Sequence, residues 1–253
     1  MKKFARTIFC MFSLLIFPWT MARASTFYGT IEKGYQYVEK KGSGYGVYVP
    51  HSFNPNKKSA LIFAFARSRN DLALNQEQLR DYAAFWAEEA EKRGYIVAIP
   101  YWQPIFIESN QHTEQFFLDV LDEVKLTYNI DPKKILLVGS GLGGVQAFVM
   151  AAFYPDRFHA VAAIGRTPLH DPVADPLMSA RLRGGLPPKN LPPVLLVHGD
   201  NDAEVALSGL EEDKAFLEKG GAQVEIKIVP DMTHEYDPSA NSLVLDWFDS
   251  LSS

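Results

Sequence analysis

The stretch Ile135-Leu136-Leu137-Val138-Gly139-Ser140-Gly141-Leu142-Gly143-Gly144-Val145 carries the strongest structural signal in this chain. Residues 135–138 are apolar without a break, as expected for a short strand buried on both faces. Six residues then include glycine at positions 139, 141, 143 and 144. Small apolar residues follow over 145–154 at helical spacing and stop at Pro155. A buried strand that passes through glycine straight into a helix serves two chemistries. It presents a nucleophile on a sharp turn, or it cradles a phosphate at a helix N-terminus.

The flanking segments supply the rest of the fold. Upstream, residues 45–49 alternate and precede Pro50, which gives an early strand. Asn54-Pro55-Asn56-Lys57 is a turn. Residues 60–66 form a continuous apolar run, and residues 95–99 form a second buried strand expected to end at Pro100. Between them, residues 76–93 have helical periodicity and Gly94 stops them. Residues 113–128 form another amphipathic helix. Downstream come buried strands at 160–164 and 194–197, a helix at 208–219, a last strand at 223–229 and a closing helix at 241–251. Residues 166–193 are rich in proline and glycine and read as a loop or cap over one end of the sheet. No repeat or low-complexity tract interrupts this alternation. The class is α/β, a mostly parallel central sheet with helices on both faces.

The first residues read as a targeting segment. Lys2, Lys3 and Arg6 precede an apolar run over 8–17, and Ala22-Arg23-Ala24 offers the small-x-small pattern of a signal-peptidase site. The run is shorter than the roughly 20 residues that span a bilayer. Removal of residues 1–24 is therefore expected, leaving 25–253 as one domain, exported to the periplasm or beyond, with no stable membrane insertion. Cys10, the only cysteine, lies in that segment, so the remaining chain has no disulfide, thiol nucleophile or thiolate metal site. Loss of Lys2, Lys3, Arg6 and Arg23 moves the formal net charge from −5 to −9. That acidity argues against nucleic acid or an anionic membrane surface as partner. An apolar content of 47% is enough for a sizeable core.

Asn129-Ile130-Asp131-Pro132-Lys133-Lys134 before the central strand resembles the approach to the nucleophile elbow of esterase-type α/β hydrolases, among them polyester-depolymerase-like and feruloyl-esterase-like members. Ala151-Ala152-Phe153-Tyr154-Pro155-Asp156-Arg157-Phe158 resembles the segment on the far side of that elbow, and Tyr48-Val49-Pro50 is similar to a third stretch. The resemblance covers about residues 45–248 and implies the α/β-hydrolase fold and a carboxylic-ester hydrolase. The family motif is Gly-x-Ser-x-Gly. One register fits, Gly139-Ser140-Gly141-Leu142-Gly143, and it puts Gly141 in the nucleophile position. Ser140 lies one residue early and is the fallback nucleophile; it would need glycines where Val138 and Leu142 stand.

In this fold the acid and the histidine come after the nucleophile in chain order. The resemblance assigns Asp202, in His198-Gly199-Asp200-Asn201-Asp202, as the acid, with Asp200 as fallback. It assigns His234, in Asp231-Met232-Thr233-His234, as the base. Such a dyad takes the serine proton in an intact enzyme, and without serine it can act as general base on water. His198 reads as a structural residue at a strand end, and no cofactor or metal is expected, since His234-Glu235 lacks the spacing of a zinc helix. The oxyanion donors implied are the backbone N–H of Leu142 and those of Ala66 or Arg67, in a loop (Phe65-Ala66-Arg67-Ser68-Arg69) that lacks the family's usual His-Gly. Arg67 and Arg69 read as solvated loop residues or as an anion attractor, and Ser68 as a displaced serine. Tyr101, Trp102 and Phe106 come after the second buried strand and form either an acyl or aromatic pocket or core packing. The expected ligand is a small ester or an acyl or aromatic molecule. The competing dinucleotide fingerprint, Gly139-x-Gly141-x-x-Gly144, lies mid-chain, and no acid closes the next strand, 160–164. Three functions remain: a degenerate esterase-like protein, an ester hydrolase that uses water or a displaced serine, and, least favoured, a dinucleotide binder.

Overall fold

The structure, a computed structural model, describes residues 31–40, 43–66, 76–101, 111–166 and 187–251. The expectations for residues 1–24, Cys10, Arg67, Ser68, Arg69, Trp102, Phe106 and most of the 166–193 segment lie outside the described residues.

Eight strands form one sheet in the order β1-β2-β4-β3-β5-β6-β7-β8. They are β1 (Gly34–Lys40), β2 (Ser43–Val49), β3 (Ser59–Phe65), β4 (Ile96–Tyr101), β5 (Ile130–Ser140), β6 (Ala160–Ile164), β7 (Val194–Gly199) and β8 (Val224–Val229). β1 pairs with β2, and β2 with β4, antiparallel. From β4 across to β8 every pair is parallel. Among the described residues the helices are α1 (Gln76–Arg93), α2 (Gln111–Thr127), α3 (Leu142–Phe153), α4 (Ser208–Lys219) and α5 (Ser239–Leu251). None of these is long and apolar enough to cross a membrane.

The continuous apolar strands are explained by two cores. Alternate side chains of β5 point to opposite faces. Ile135 and Leu137 join a cluster with α2, α3 and α4, while Leu136 and Val138 join a second cluster with α1 and α5. α3 carries small residues because it lies close on the sheet, with Ala147, Phe148, Met150 and Ala151 buried. On the other face Trp86 of α1 and Phe248 of α5 are fully buried. Arg93 of α1 ties the two helices of that face together, through Glu89 in its own helix and Asp246 and Asp249 in α5.

Two sequence expectations change. Pro100 does not end its strand; it lies inside β4, opposite Tyr45 of β2. Pairing with β3 reaches only Ala98, so no partner on that side needs the missing proline N–H. β1, which was not expected, forms an antiparallel hairpin with β2 at the outer edge of the sheet. Its side chains are half-buried on both faces, so its sequence alternates only weakly.

Candidate functional site

The parallel strands β3, β5, β6, β7 and β8 end together, and this edge is where open α/β sheets bind ligands. The chain leaves β5 at Ser140 and enters α3 at Leu142, with Gly141 alone as the turn. Gly141 has φ 56° and ψ −126°, a combination that side-chain-bearing residues adopt only under strain. Its N–H donates to Ile164 O at 2.9 Å, and its carbonyl accepts from Gly144 N at 3.0 Å. The turn also presses against the end of β3. A Cβ on Gly143 would lie 2.2 Å from Phe65 O, so this position admits only glycine. The phenol of Tyr82 donates to that same carbonyl at 3.1 Å and fixes the β3 end from α1.

Ser140 is the last residue of β5, opposite Ile164 in the ladder, and only 2% exposed. Leu142 opens α3, so its N–H belongs to a first helical turn, whose donors have no intrahelical acceptor. Ala66 directly follows β3 beside the elbow, where its carbonyl oxygen would lie 3.2 Å from a Cβ on Gly143. Tyr101 ends β4 and packs in the α1/α5 core.

The turns after β7 and β8 are stitched together. Asp200 N–H donates to Val229 O at 3.2 Å, and Asn201 N–H to Met232 O at 3.2 Å. Asp200 Oδ1 accepts Asp231 N–H at 2.7 Å, so the fallback acid caps the neighbouring turn. Gly199 lies so close beneath Met232 that a Cβ there would be 1.8 Å from its carbonyl. On this base Asp202 and His234 meet. His234 Nδ1 lies 3.0 Å from Asp202 Oδ2, with the histidine 8% exposed. Asp202 Oδ1 accepts the N–H groups of Glu204 and Val205 at 2.8 and 2.9 Å. Burial pushes the Asp202 carboxyl up, but the Val205 N–H, His234 and the Glu204 N–H outweigh it and hold the carboxyl below its ordinary value. Asp202 is therefore ionised and fixes the tautomer of His234, with the proton on Nδ1.

His234 also adjoins the strand beside the elbow. A Cβ on Gly165, just past β6, would lie 4.0 Å from His234 O, and Ile164 O is the acceptor for Gly141 N–H. Two residues that sequence reasoning did not assign to the site lie here. Glu204 Oε2 is 3.4 Å from His234 Nε2, and His198 Nε2 is 3.3 Å from Asp202 Oδ2. The Asp202-x-Glu204-Val205 spacing, in which an aspartate bonds the backbone two and three residues on, is the signal that could have located Glu204. Among the described residues no group of three or more His, Cys, Asp or Glu is arranged to hold a metal ion.

Comparison with known proteins bears on the family and the fold. A model of the esterase family, described as "Putative esterase", matches residues 107–247, more than half of the chain and the whole span from β5 to His234. No curated protein matches the chain. Among solved structures, esterase 2 of Thermogutta terrifontis has a TM-score of 0.62 and 17% identity over 88% of this chain and 95% of its own. The α/β hydrolase MGS-M1, from a Medee basin deep-sea metagenome library, has 0.63 and 16% over 86% and 97%. A putative dipeptidyl aminopeptidase IV from Bacteroides ovatus has 0.64 and 16% over 85% of this chain, but only 35% of its own length. The chain thus spans about a third of that peptidase and nearly all of the two smaller hydrolases. The fold is the α/β-hydrolase fold.

Proposed function

The chain belongs to the esterase family, and on that premise we propose that it is an exported, esterase-like pseudoenzyme with weak or no serine-hydrolase activity. The observation that carries this reading is the backbone of Gly141, at φ 56° and ψ −126° between β5 and α3. The attacking oxygen of this fold stands on such a strained strand-to-helix turn. Here the turn carries a hydrogen atom. In a serine protease, removal of the nucleophile costs on the order of 10⁶ in rate, or roughly 8 kcal/mol of transition-state stabilisation. Ser140 does not replace it, being nearly buried in the β5 ladder. Glycine reaches the turn at little steric cost, so the change relaxes the fold while it removes the chemistry.

His234 and Asp202 form the dyad in this reading, Leu142 and Ala66 or Arg67 the backbone oxyanion donors. The ligand class is a small ester or an acyl or aromatic molecule, and no cofactor is invoked. Export and the single domain over 25–253 rest on the signal-like residues 1–24. A second reading, hydrolysis by water that His234 deprotonates, draws support from the 3.0 Å contact between His234 and Asp202. Dinucleotide binding has the least support, since the glycine turn comes after the fifth strand of the chain and no acid closes β6.

The test is hydrolysis of short p-nitrophenyl esters by the purified protein and by His234→Ala. Rates indistinguishable between the two, and close to the uncatalysed rate, are expected. Hydrolysis that His234→Ala abolishes would establish the water mechanism instead.

A further inference from the structure

His198 stands on β7 with none of its surface exposed, four residues before Asp202. Its Nε2 lies 2.9 Å from Val205 O and 3.3 Å from Asp202 Oδ2. A carbonyl oxygen only accepts, so the ring carries a proton on Nε2 and donates it to Val205 O, with the Asp202 carboxylate alongside. Its Nδ1 is buried and makes no hydrogen bond among the described residues. A buried acceptor left unmade costs free energy that an apolar ring of the same size would not. Packing alone therefore does not account for an imidazole here.

The bonds around Asp202 do account for it. Val205 is held from both sides: its carbonyl accepts from His198, and its N–H donates to Asp202 Oδ1 at 2.9 Å. Glu204 N–H binds the same oxygen at 2.8 Å, and His234 Nδ1 lies 3.0 Å from Oδ2. Asp202 thus has three hydrogen-bond partners, two N–H groups of its own turn and His234, while His198 Nε2 lies 3.3 Å from Oδ2. The turn comes from a loop, whereas His198 comes from β7, a strand buried along its whole length. Among the described residues, the His198 contact is the one that brings the carboxylate up against a strand of the sheet.

We propose that His198 is the positioning residue of the Asp202–His234 dyad. It anchors both the carboxylate and the turn that carries it, and so fixes the direction in which Oδ2 faces His234. The inference rests on the reading of Asp202 and His234 as the dyad. It does not depend on whether a nucleophile is present.

The experiment is side-chain and amide NMR on the purified protein, with His198→Ala and His198→Gln. In the unchanged protein the His198 ring proton is expected on Nε2, and His234 Nδ1–H is expected as a hydrogen-bonded low-field signal. His198→Ala should remove that signal and speed amide exchange at Glu204 and Val205 by about tenfold, as expected for a lost bond to a charged group. His198→Gln, whose amide N–H can reach the same acceptors, should keep both. A His198 ring protonated on Nδ1 would overturn the proposal. So would a His198→Ala protein that loses thermal stability while the His234 signal and both amides stay unchanged. If His198→Ala does not fold, the tautomer of the unchanged protein and the behaviour of His198→Gln decide. In a Gly141→Ser background, His198→Ala should slow fluorophosphonate labelling by about tenfold as well. If Gly141→Ser takes no label at all, the nucleophile reading fails, while the NMR outcomes still decide the role of His198.

Discussion

The β5–α3 elbow and the β7–β8 end of the candidate site are built differently, the first from backbone and the second from side chains. The elbow keeps the backbone, with Gly141 at φ 56° and ψ −126° and glycine required at position 143, yet it offers no reacting group. The β7–β8 end keeps the groups, an ionised Asp202 that orients His234. The difference shows that the shape of a site and its chemistry are held by different forces. The elbow geometry is set by the packing of α3 against β3 and β5. The Asp202–His234 contact sits on turns that neighbouring backbone bonds join. Gly199 fits under Met232, Asp231 N–H is bound by Asp200, and Asp202 caps its own turn. The Asp202 side chain therefore has a structural role in its own turn beside its contact with His234.

If packing holds the elbow, the largest effect comes from filling its contact with β3. Gly143→Ala drives a Cβ to 2.2 Å from Phe65 O and should cost about 3 kcal/mol or more, a fall in Tm of roughly 6–12 °C for a domain of this size. A Tm within a degree or two of the unchanged protein would show that the elbow is not pinned in this way.

Asp202→Asn tests the other end. It weakens bonds to a charged acceptor and should cost about 2 kcal/mol at neutral pH. The sign of the shift sets the pH dependence. The folded Asp202 carboxyl lies below its ordinary value, so its contribution is complete above the unfolded value of about 4 and is lost as pH falls through the lower folded value. Urea denaturation from pH 6 to pH 2 should therefore show a shallower acid decline for Asp202→Asn than for the unchanged protein. Parallel curves would mean that the carboxylate is not held by its donors.

Gly141→Ser should be milder, about 1.5 kcal/mol of backbone strain read by thermal denaturation. Stabilisation instead would mean that the turn is not under strain. The smallest effect belongs to Ser140→Ala. It should change stability by less than about 1 kcal/mol and leave reactivity toward esters as it was; lost hydrolysis would identify Ser140 as a displaced nucleophile.

The sequence revealed most where burial is complete. α1 and α4 begin and end where periodicity put them, at 76–93 and 208–219, because one face of each is committed to a core. β6 is fully buried and was legible to the residue. Legibility fails where burial is partial. β1 faces a half-buried edge, and the start of β5, Asp131 to Lys134, is at most partly buried, with Pro132 and Lys133 exposed, near a register shift in β3. At the candidate site, Gly141, Asp202 and His234 were chosen from order and motif, and the structure brings Asp202 and His234 into contact. His198 and Glu204 were not, because their contacts depend on how the Asp202 turn curls back over β7. A residue spacing does not encode that curl except through the side chain that caps it.

The most direct measurement is intact-mass analysis after treatment with a fluorophosphonate probe, comparing the unchanged protein with Gly141→Ser. An unmodified mass for the first and a single adduct on residue 141 for the second are the predicted result. An adduct on the unchanged protein that Ser140→Ala removes would contradict the account.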